Sequence, residues 1–447
     1  MSRLLVASTP AHGHVMPMLV IARDLVARGH QVQVLTGSRF SGAVKAARAE
    51  HVAIPHAADY DDRDVAAAFP GRQDRAGVAQ LRFDIDHVFL NPIPHQLAAV
   101  DEILDRFAPD AVITDSAFLG AVPLAMRPRN QRPPVIVCGV IPLTLSSRDT
   151  APFGLGLPPS SSPLGRIRNR VLNLATQRLV FAGNQSHFQH VMQDLGTGPV
   201  SMFLLHAPAR LADRFLQLTT PGFEYPRSDL PAGVTFAGPI LSSGTGAATL
   251  PPWWADLEGR TVVHVTQGTI ANDDLQRLIG ATFHAFADDN VIVVATTGGR
   301  PTSALAGPLP PNARLAEFIP YELLLPRVDA MVTNGGYGGI HYAIAHGVPV
   351  VVGGATEDKR EIAARVRWAG VGVDLRTEHP EPRAIRTAVH TVLRDPQYRQ
   401  RVGELQAEFA RYRPLDLLAE VLAEEVGPQR ARATRRSSQT QNVPPGT

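Results

Sequence analysis

The feature that most constrains this chain is its first 36 residues. Arg3-Leu-Leu-Val-Ala-Ser8 is a short unbroken apolar run and reads as a buried strand. Thr9 to Pro17 is a loop by its prolines and glycine. Met18, Leu19, Ala22, Leu25 and Val26 then fall at helical spacing, and Arg28-Gly29 supplies a basic last turn and a glycine stop. Gln31–Thr36 is a second strand. Strand, loop, helix and strand in this order form a βαβ crossover, the unit of a doubly wound parallel sheet.

The same rhythm continues with strands expected at Ala111–Thr114 and Val135–Val140. It breaks near 225–260, where Pro226, Pro231, Pro239, Ser242, Ser243, Gly244, Gly246, Pro251 and Pro252 crowd together. It restarts with strands at 260–266, 291–296, 328–333 and 348–352 and a helix around 273–287. The reading is an α/β protein of two Rossmann-like doubly wound parallel-sheet domains: residues 1–225, a linker at 226–258, residues 259–412, a last helix at 413–427 that can return to the first domain, and a disordered tail at 428–447. Residues 60–95 and 145–190 read as long irregular excursions with apolar helical pieces, of the kind that wall or cover a site.

Composition narrows the classes. Hydrophobic residues make up 44% of 447, enough for two full cores, so wholesale disorder is excluded. A single cysteine, Cys138, excludes an internal disulfide framework and a cysteine-based zinc site. No run approaches the roughly 20 apolar residues of a membrane helix. The first residues read as a strand and not as a leader, so a cytoplasmic protein is expected. The net charge of +2 is carried by Arg430, Arg432, Arg435 and Arg436 of the tail, and the body offers no basic groove for nucleic acid.

Thr333-Asn-Gly-Gly-Tyr-Gly-Gly339 follows a strand and opens the helix Ile340–His346. Glycines admit a ligand close to the backbone, and the first helical turn offers free N–H groups at the positive end of the dipole. Such a loop suits phosphate, but the same glycines also serve a tight turn with no ligand. No Lys-Ser/Thr pair closes it, so it is not a P-loop.

The longer pattern is more specific. Asn334 to Pro349, then Val350-Val-Val-Gly-Gly-Ala-Thr-Glu-Asp358-Lys359, Ala363-Ala-Arg-Val366 and Gly370-Val-Gly372, resembles the donor-binding signature of the family 1 nucleotide-sugar glycosyltransferases, whose fold is called GT-B. Gly13-His14-Val-Met-Pro17 and Phe236-Ala-Gly-Pro239 resemble that family too, and the resemblance runs from about residue 3 to about 425. It implies that the C-terminal domain holds the nucleotide and the N-terminal domain the acceptor. Phe318 then takes the position that stacks on the nucleobase, and Ile319 offers backbone groups to the base edge. Thr269, Asn334, Gly335, Gly336, Gly338 and Gly339 match the diphosphate cradle, and Asp358 and Lys359 the Asp-Gln pair that binds sugar hydroxyls. Without the resemblance, Phe318 would read as a core residue and 357–359 as a solvated helix start.

Three positions depart from the pattern. Asn334 stands for the usual His at the first phosphate contact, Tyr342 for the Glu that accepts from the ribose, and Lys359 for Gln. Tyr342 admits a deoxyribose donor. The resemblance implies no permanently bound cofactor and no metal, the co-substrate being a UDP-sugar or a dTDP-sugar.

Inverting glycosyl transfer needs a base for the acceptor hydroxyl, and a histidine oriented by a carboxylate suits that task. His14 follows the first strand and Asp115 ends a later one, so both can face one crevice, and the resemblance puts base and orienter there. His12 is the competing base. The acceptor wall is expected from Phe69, Phe83, Phe89, Leu90, Phe118, Ile141, Leu143, Phe153, Leu155 and Leu157, an apolar set that favours a lipophilic small molecule. The expected function is an inverting O-glycosyltransferase moving a hexose, UDP-glucose first, to a macrolide, ansamycin or other polyketide. The alternatives are a dTDP-deoxyhexose transferase of antibiotic biosynthesis and a non-catalytic nucleotide-sugar-binding auxiliary protein.

Overall fold

The computed structural model describes residues 1–241, 250–269, 272–355 and 358–440, with side chains as far as Gly427. The first sheet contains β1 (Arg3–Ala7), β2 (Gln31–Thr36), β3 (Glu50–Ala53), β4 (Ala111–Asp115), β5 (Val135–Gly139), β6 (Arg214–Gln217) and β7 (Val234–Phe236). The second contains β8 (Val262–Thr266), β9 (Ile292–Thr296), β10 (Ala313–Ala316), β11 (Ala330–Thr333), β12 (Val350–Val352) and β13 (Gly372–Asp374). The orders are β3-β2-β1-β4-β5-β6-β7 and β10-β9-β8-β11-β12-β13. Every pairing is parallel. Both sheets thus step outward from their first strand and then reverse, the doubly wound order with a switch point beside β1 and beside β8.

Burial on two faces explains the apolar runs. Leu4 and Val6 of β1 enter one core with Val15, Met18 and Ala22 of the helix His12–Ala27. Leu5 and Ala7 enter the opposite core with Leu97, Val100 and Ile103 of the helix Ile93–Arg106. In the second sheet Val262 and Val263 divide in the same way. The helix Pro414–Thr440 crosses back, placing Leu418, Val421 and Leu422 in the first of these cores and pairing Asp416 with Arg28 at 2.5 Å.

Two details differ from the sequence reading. β7 lies inside the segment assigned to the linker and pairs with β6, so the first sheet extends past residue 225. The helical pieces expected in the excursions include the helices Gly77–Asp84, Pro163–Ala175 and Ala182–Asp194. Ser162 caps the second of these through the N–H of Gly165, with proline in the first turn, a start signal the sequence displays. The last helix continues through 428–440, part of the segment that composition read as a disordered tail. Residues 242–249 of the linker, residue 357 and residues 441–447 lie outside the described residues. Among the described residues no helix is long and apolar enough to cross a membrane.

Candidate active site

Neighbouring parallel strands end at one edge of a sheet, and β1 and β4 are neighbours. The chain leaving β1 enters the helix His12–Ala27, and β4 finishes on Asp115. This brings His14 Nδ1 to 2.8 Å from Asp115 Oδ1. Asp115 is itself held by two backbone donors: the N–H of Thr9 to Oδ2 and the N–H of Ala117 to Oδ1, both at 2.7 Å. The carboxylate accepts a hydrogen bond donated by Nδ1–H and leaves Nε2 as the acceptor nitrogen of His14. Burial opposes a charge on His14, but Asp115 and, from the other domain, Asp358 outweigh it and raise its pKa above the usual 6.5. His12 has the opposite environment. Burial and the Arg39 guanidinium lower its pKa, and among the described residues no carboxylate bonds its ring.

Across the cleft, β11 ends at Thr333 and the glycine loop turns into the helix Tyr337–Ala345. Gly335 has φ +90, and a Cβ there would stand 2.8 Å from Val352 Cγ1, so this position demands glycine. At Gly336 and Gly338 a Cβ would meet nothing within 4 Å. These two glycines leave open space before a helix start that no side chain caps. The Asn334 amide donates to the carbonyl of Gln267, tying this loop to the turn Gln267-Gly268-Thr269 after β8. Lys359 is 6% exposed and packs its stem beside Gly335 and Gly354. A buried cation therefore lies under the loop whose Asn334 carries no charge.

Phe318 is 70% exposed at the cleft, which corrects the reading of an isolated phenylalanine as core, and Ile319 behind it is buried. Tyr342 packs its ring 5.2 Å from that of Tyr321, whose hydroxyl is pushed up to about 12 by burial. Asp358 starts the helix Lys359–Ala369.

These residues line one cleft of about 1040 Å³ between the domains. His14, Thr269, Phe318, Ile319, Asn334, Gly336, Gly338, Gly339, Tyr342, Asp358 and Lys359 face it, while Asp115 and Gly335 stand behind it in support. Of the residues expected to wall the acceptor side, Phe69, Phe89, Ile141, Leu143 and Phe153 are there. Phe118 and Leu90 are buried in the cores instead, Phe83 stacks on His87 at 3.9 Å, and Leu155 and Leu157 do not line the cleft. The sequence reading missed Tyr60, Phe181 and the Arg72–Asp84 ion pair, with contacts of 2.7 and 3.0 Å. Tyr60 and Arg72 stand in turns between elements and Phe181 between two helical segments, so no helical or strand periodicity marked them. Among the described residues no group of three or more His, Cys, Asp or Glu side chains could hold a metal ion.

Comparison with known proteins agrees with this geometry. Residues 282–423 match the family described as erythromycin biosynthesis protein CIII-like, C-terminal domain. The chain is 43% identical to 4'-demethylrebeccamycin synthase of Lentzea aerocolonigenes over 92% of its length and 96% of that protein. It is 38% identical to UDP-glycosyltransferase 2 of Phaeomoniella chlamydospora over 94% and 95% of the two chains. Its fold is that of the solved glycotransferase of kitacinnamycin, with a TM-score of 0.70 at 23% identity, covering 95% of this chain and 98% of that one. The chain belongs to the family 1 nucleotide-sugar-dependent glycosyltransferases and has their GT-B fold.

Proposed function

We propose that the protein is an inverting, metal-independent O-glycosyltransferase that moves a hexose, UDP-glucose first, to a hydroxyl of a lipophilic natural product in the cytoplasm. The observation that carries the reading is the His14–Asp115 pair facing, across one cleft, the open start of the helix Tyr337–Ala345. His14 Nε2 takes the acceptor proton as the oxygen attacks the anomeric carbon. Asp115 holds the ring and stabilises the imidazolium that forms. The departing diphosphate carries its charge onto the N–H groups at 336–339, the helix dipole and Lys359. Phe318 offers a face for the base, and Asp358 accepts from sugar hydroxyls. The acceptor wall of Phe69, Phe89, Phe153 and Phe181 fits a broad apolar skeleton such as a macrolide, an ansamycin or a fused aromatic polyketide.

One experiment tests this. The protein and a His14→Ala variant are incubated with UDP-glucose or dTDP-glucose and such a panel, with and without a chelator, and the product is read by mass and by the anomeric proton coupling. A β-glucoside from the wild type alone, insensitive to chelator, is expected. Equal product from the variant moves the base to His12. No product at all favours an auxiliary protein that binds nucleotide sugars.

A second donor reading rests on Tyr342, which presents a phenol packed on Tyr321 where the family carries a ribose-accepting carboxylate. Preference for dTDP-glucose over UDP-glucose in the same assay would favour a dTDP-deoxyhexose.

A further inference from the structure

The helix Lys359–Ala369 offers Asp358 and Lys359 to the cleft at its start. Part of a turn later, Glu361 is buried and reaches into the other domain. Its Oε1 accepts the N–H of Gly154 at 2.9 Å and the N–H of Gly156 at 2.7 Å. Its Oε2 accepts from Arg365 Nη1 at 2.7 Å. Arg365, 1% exposed, gives Nε and Nη2 to Glu224 Oε1 at 3.0 and 2.6 Å. Glu224 Oε2 accepts the N–H of Leu143 at 3.0 Å, and Arg227 adds a contact to Oε1 at 3.1 Å.

Two carboxylates, one from each domain and joined by one guanidinium, therefore hold three backbone N–H groups of a single wall. That wall carries Leu143 and Phe153 into the cleft, whereas Glu361, Arg365 and Glu224 do not line it. Gly154 and Gly156 have φ +100 and +61, a backbone open to glycine, and Glu361 draws both of their N–H groups onto one oxygen. Gly156 also packs against Arg360 and Ala364 of that helix, and among the described residues the hydrogen bonds from the loop to the helix are the two that Glu361 accepts.

We propose that Glu361 is a positioning residue: from the donor domain it sets the shape of the acceptor pocket by anchoring the loop that carries Phe153. The proposal rests on the reading of this wall as the acceptor side. It makes the acceptor pocket a property of the paired domains and not of the N-terminal domain alone.

The test uses Glu361→Met, which keeps the stem length and removes both oxygens, and Glu361→Gln, which returns one acceptor oxygen. Amide exchange at Gly154 and Gly156 is expected to quicken about tenfold or more in the methionine variant. The acceptor KM is expected to rise about tenfold while the Kd for UDP or dTDP, by calorimetry, stays within about twofold. Glutamine restores most of both. If the methionine variant does not fold, Glu361→Asp, which draws the carboxylate back by one methylene, takes the same measurements. Unchanged exchange overturns the anchor. Quickened exchange with an unchanged acceptor KM, or with equal losses on donor and acceptor, overturns the positioning role. A wild type that glycosylates no acceptor overturns the acceptor-side reading instead, and the exchange measurement still decides whether Glu361 anchors the loop.

Discussion

His14 Nδ1 lies 2.8 Å from Asp115 Oδ1, although 101 residues separate the two in the chain. The contact exists because β1 and β4 are adjacent parallel strands, so that both residues emerge at one sheet edge. The two backbone N–H bonds to Asp115 fix the carboxylate before any substrate arrives.

The first prediction follows from the raised pKa of His14. A base works when neutral, so kcat/KM should rise with pH through a value above 6.5 and then level off. In Asp115→Asn the opposing effect of burial is left unbalanced by the adjacent carboxylate. The limb should move to lower pH, and the plateau should fall about 100-fold or more because the proton on Nδ1 is no longer held. A pH–rate profile of both proteins checks this, and an unmoved limb would assign the titration to another group.

Phe318 separates binding from folding. Its ring is exposed, so Phe318→Ala should leave the thermal midpoint unchanged. Loss of stacking on a base is worth about 1–3 kcal/mol, a rise in donor KM of roughly 5- to 150-fold. Steady-state kinetics beside a melting curve makes the comparison. A drop in stability with unchanged donor KM would return Phe318 to a packing role.

Two glycines of one loop should behave differently. Gly338→Val adds a side chain into open space, so the variant should fold and yet lose nucleotide binding, seen by calorimetry with UDP. Gly335→Ala must place a Cβ 2.8 Å from Val352 at φ +90, so it should lower the thermal midpoint. Normal UDP binding by Gly338→Val would mean that the diphosphate lies elsewhere.

The buried ion network should dominate acid stability. Burial pushes the Glu224 carboxyl up, but Arg365 and Arg227 outweigh it and hold the group at about 2, against 4.5 in the unfolded chain. A depressed carboxylate stabilises the fold fully above 4.5, and this contribution is lost as pH falls toward 2. Wild type should therefore lose stability steeply over that window. Arg365→Met, which leaves two buried carboxylates short of a partner, should cost about 3–5 kcal/mol at neutral pH. Glu224→Gln in that background should recover part of it. Denaturant melts at several pH values test all three statements.

Much of the architecture was legible from local pattern. Apolar strands, glycine stops and helical spacing are set by neighbours a few residues away, so both α/β halves could be read before their strand orders were known. The order of residues 334–372 likewise carried the resemblance to the family. Local pattern failed where packing decides. Phe118 and Phe153 look alike in sequence, yet one fills a core and the other lines the cleft. The helices of 60–95 and 145–190 owe their faces to each other, and β7 owes its place to β6.

The chain by itself thus determined the two parallel sheets and the glycine loop, because propensity, capping and glycine freedom act within a turn or a strand, and it left His12 and His14 as competing bases. Only the tertiary structure decided that His12 faces Arg39 while His14 faces Asp115, that Lys359 lies under the glycine loop, and that Glu361 reaches the other domain. These are contacts across tens to hundreds of residues, and their electrostatics depend on burial and distance, which no spacing along the chain encodes.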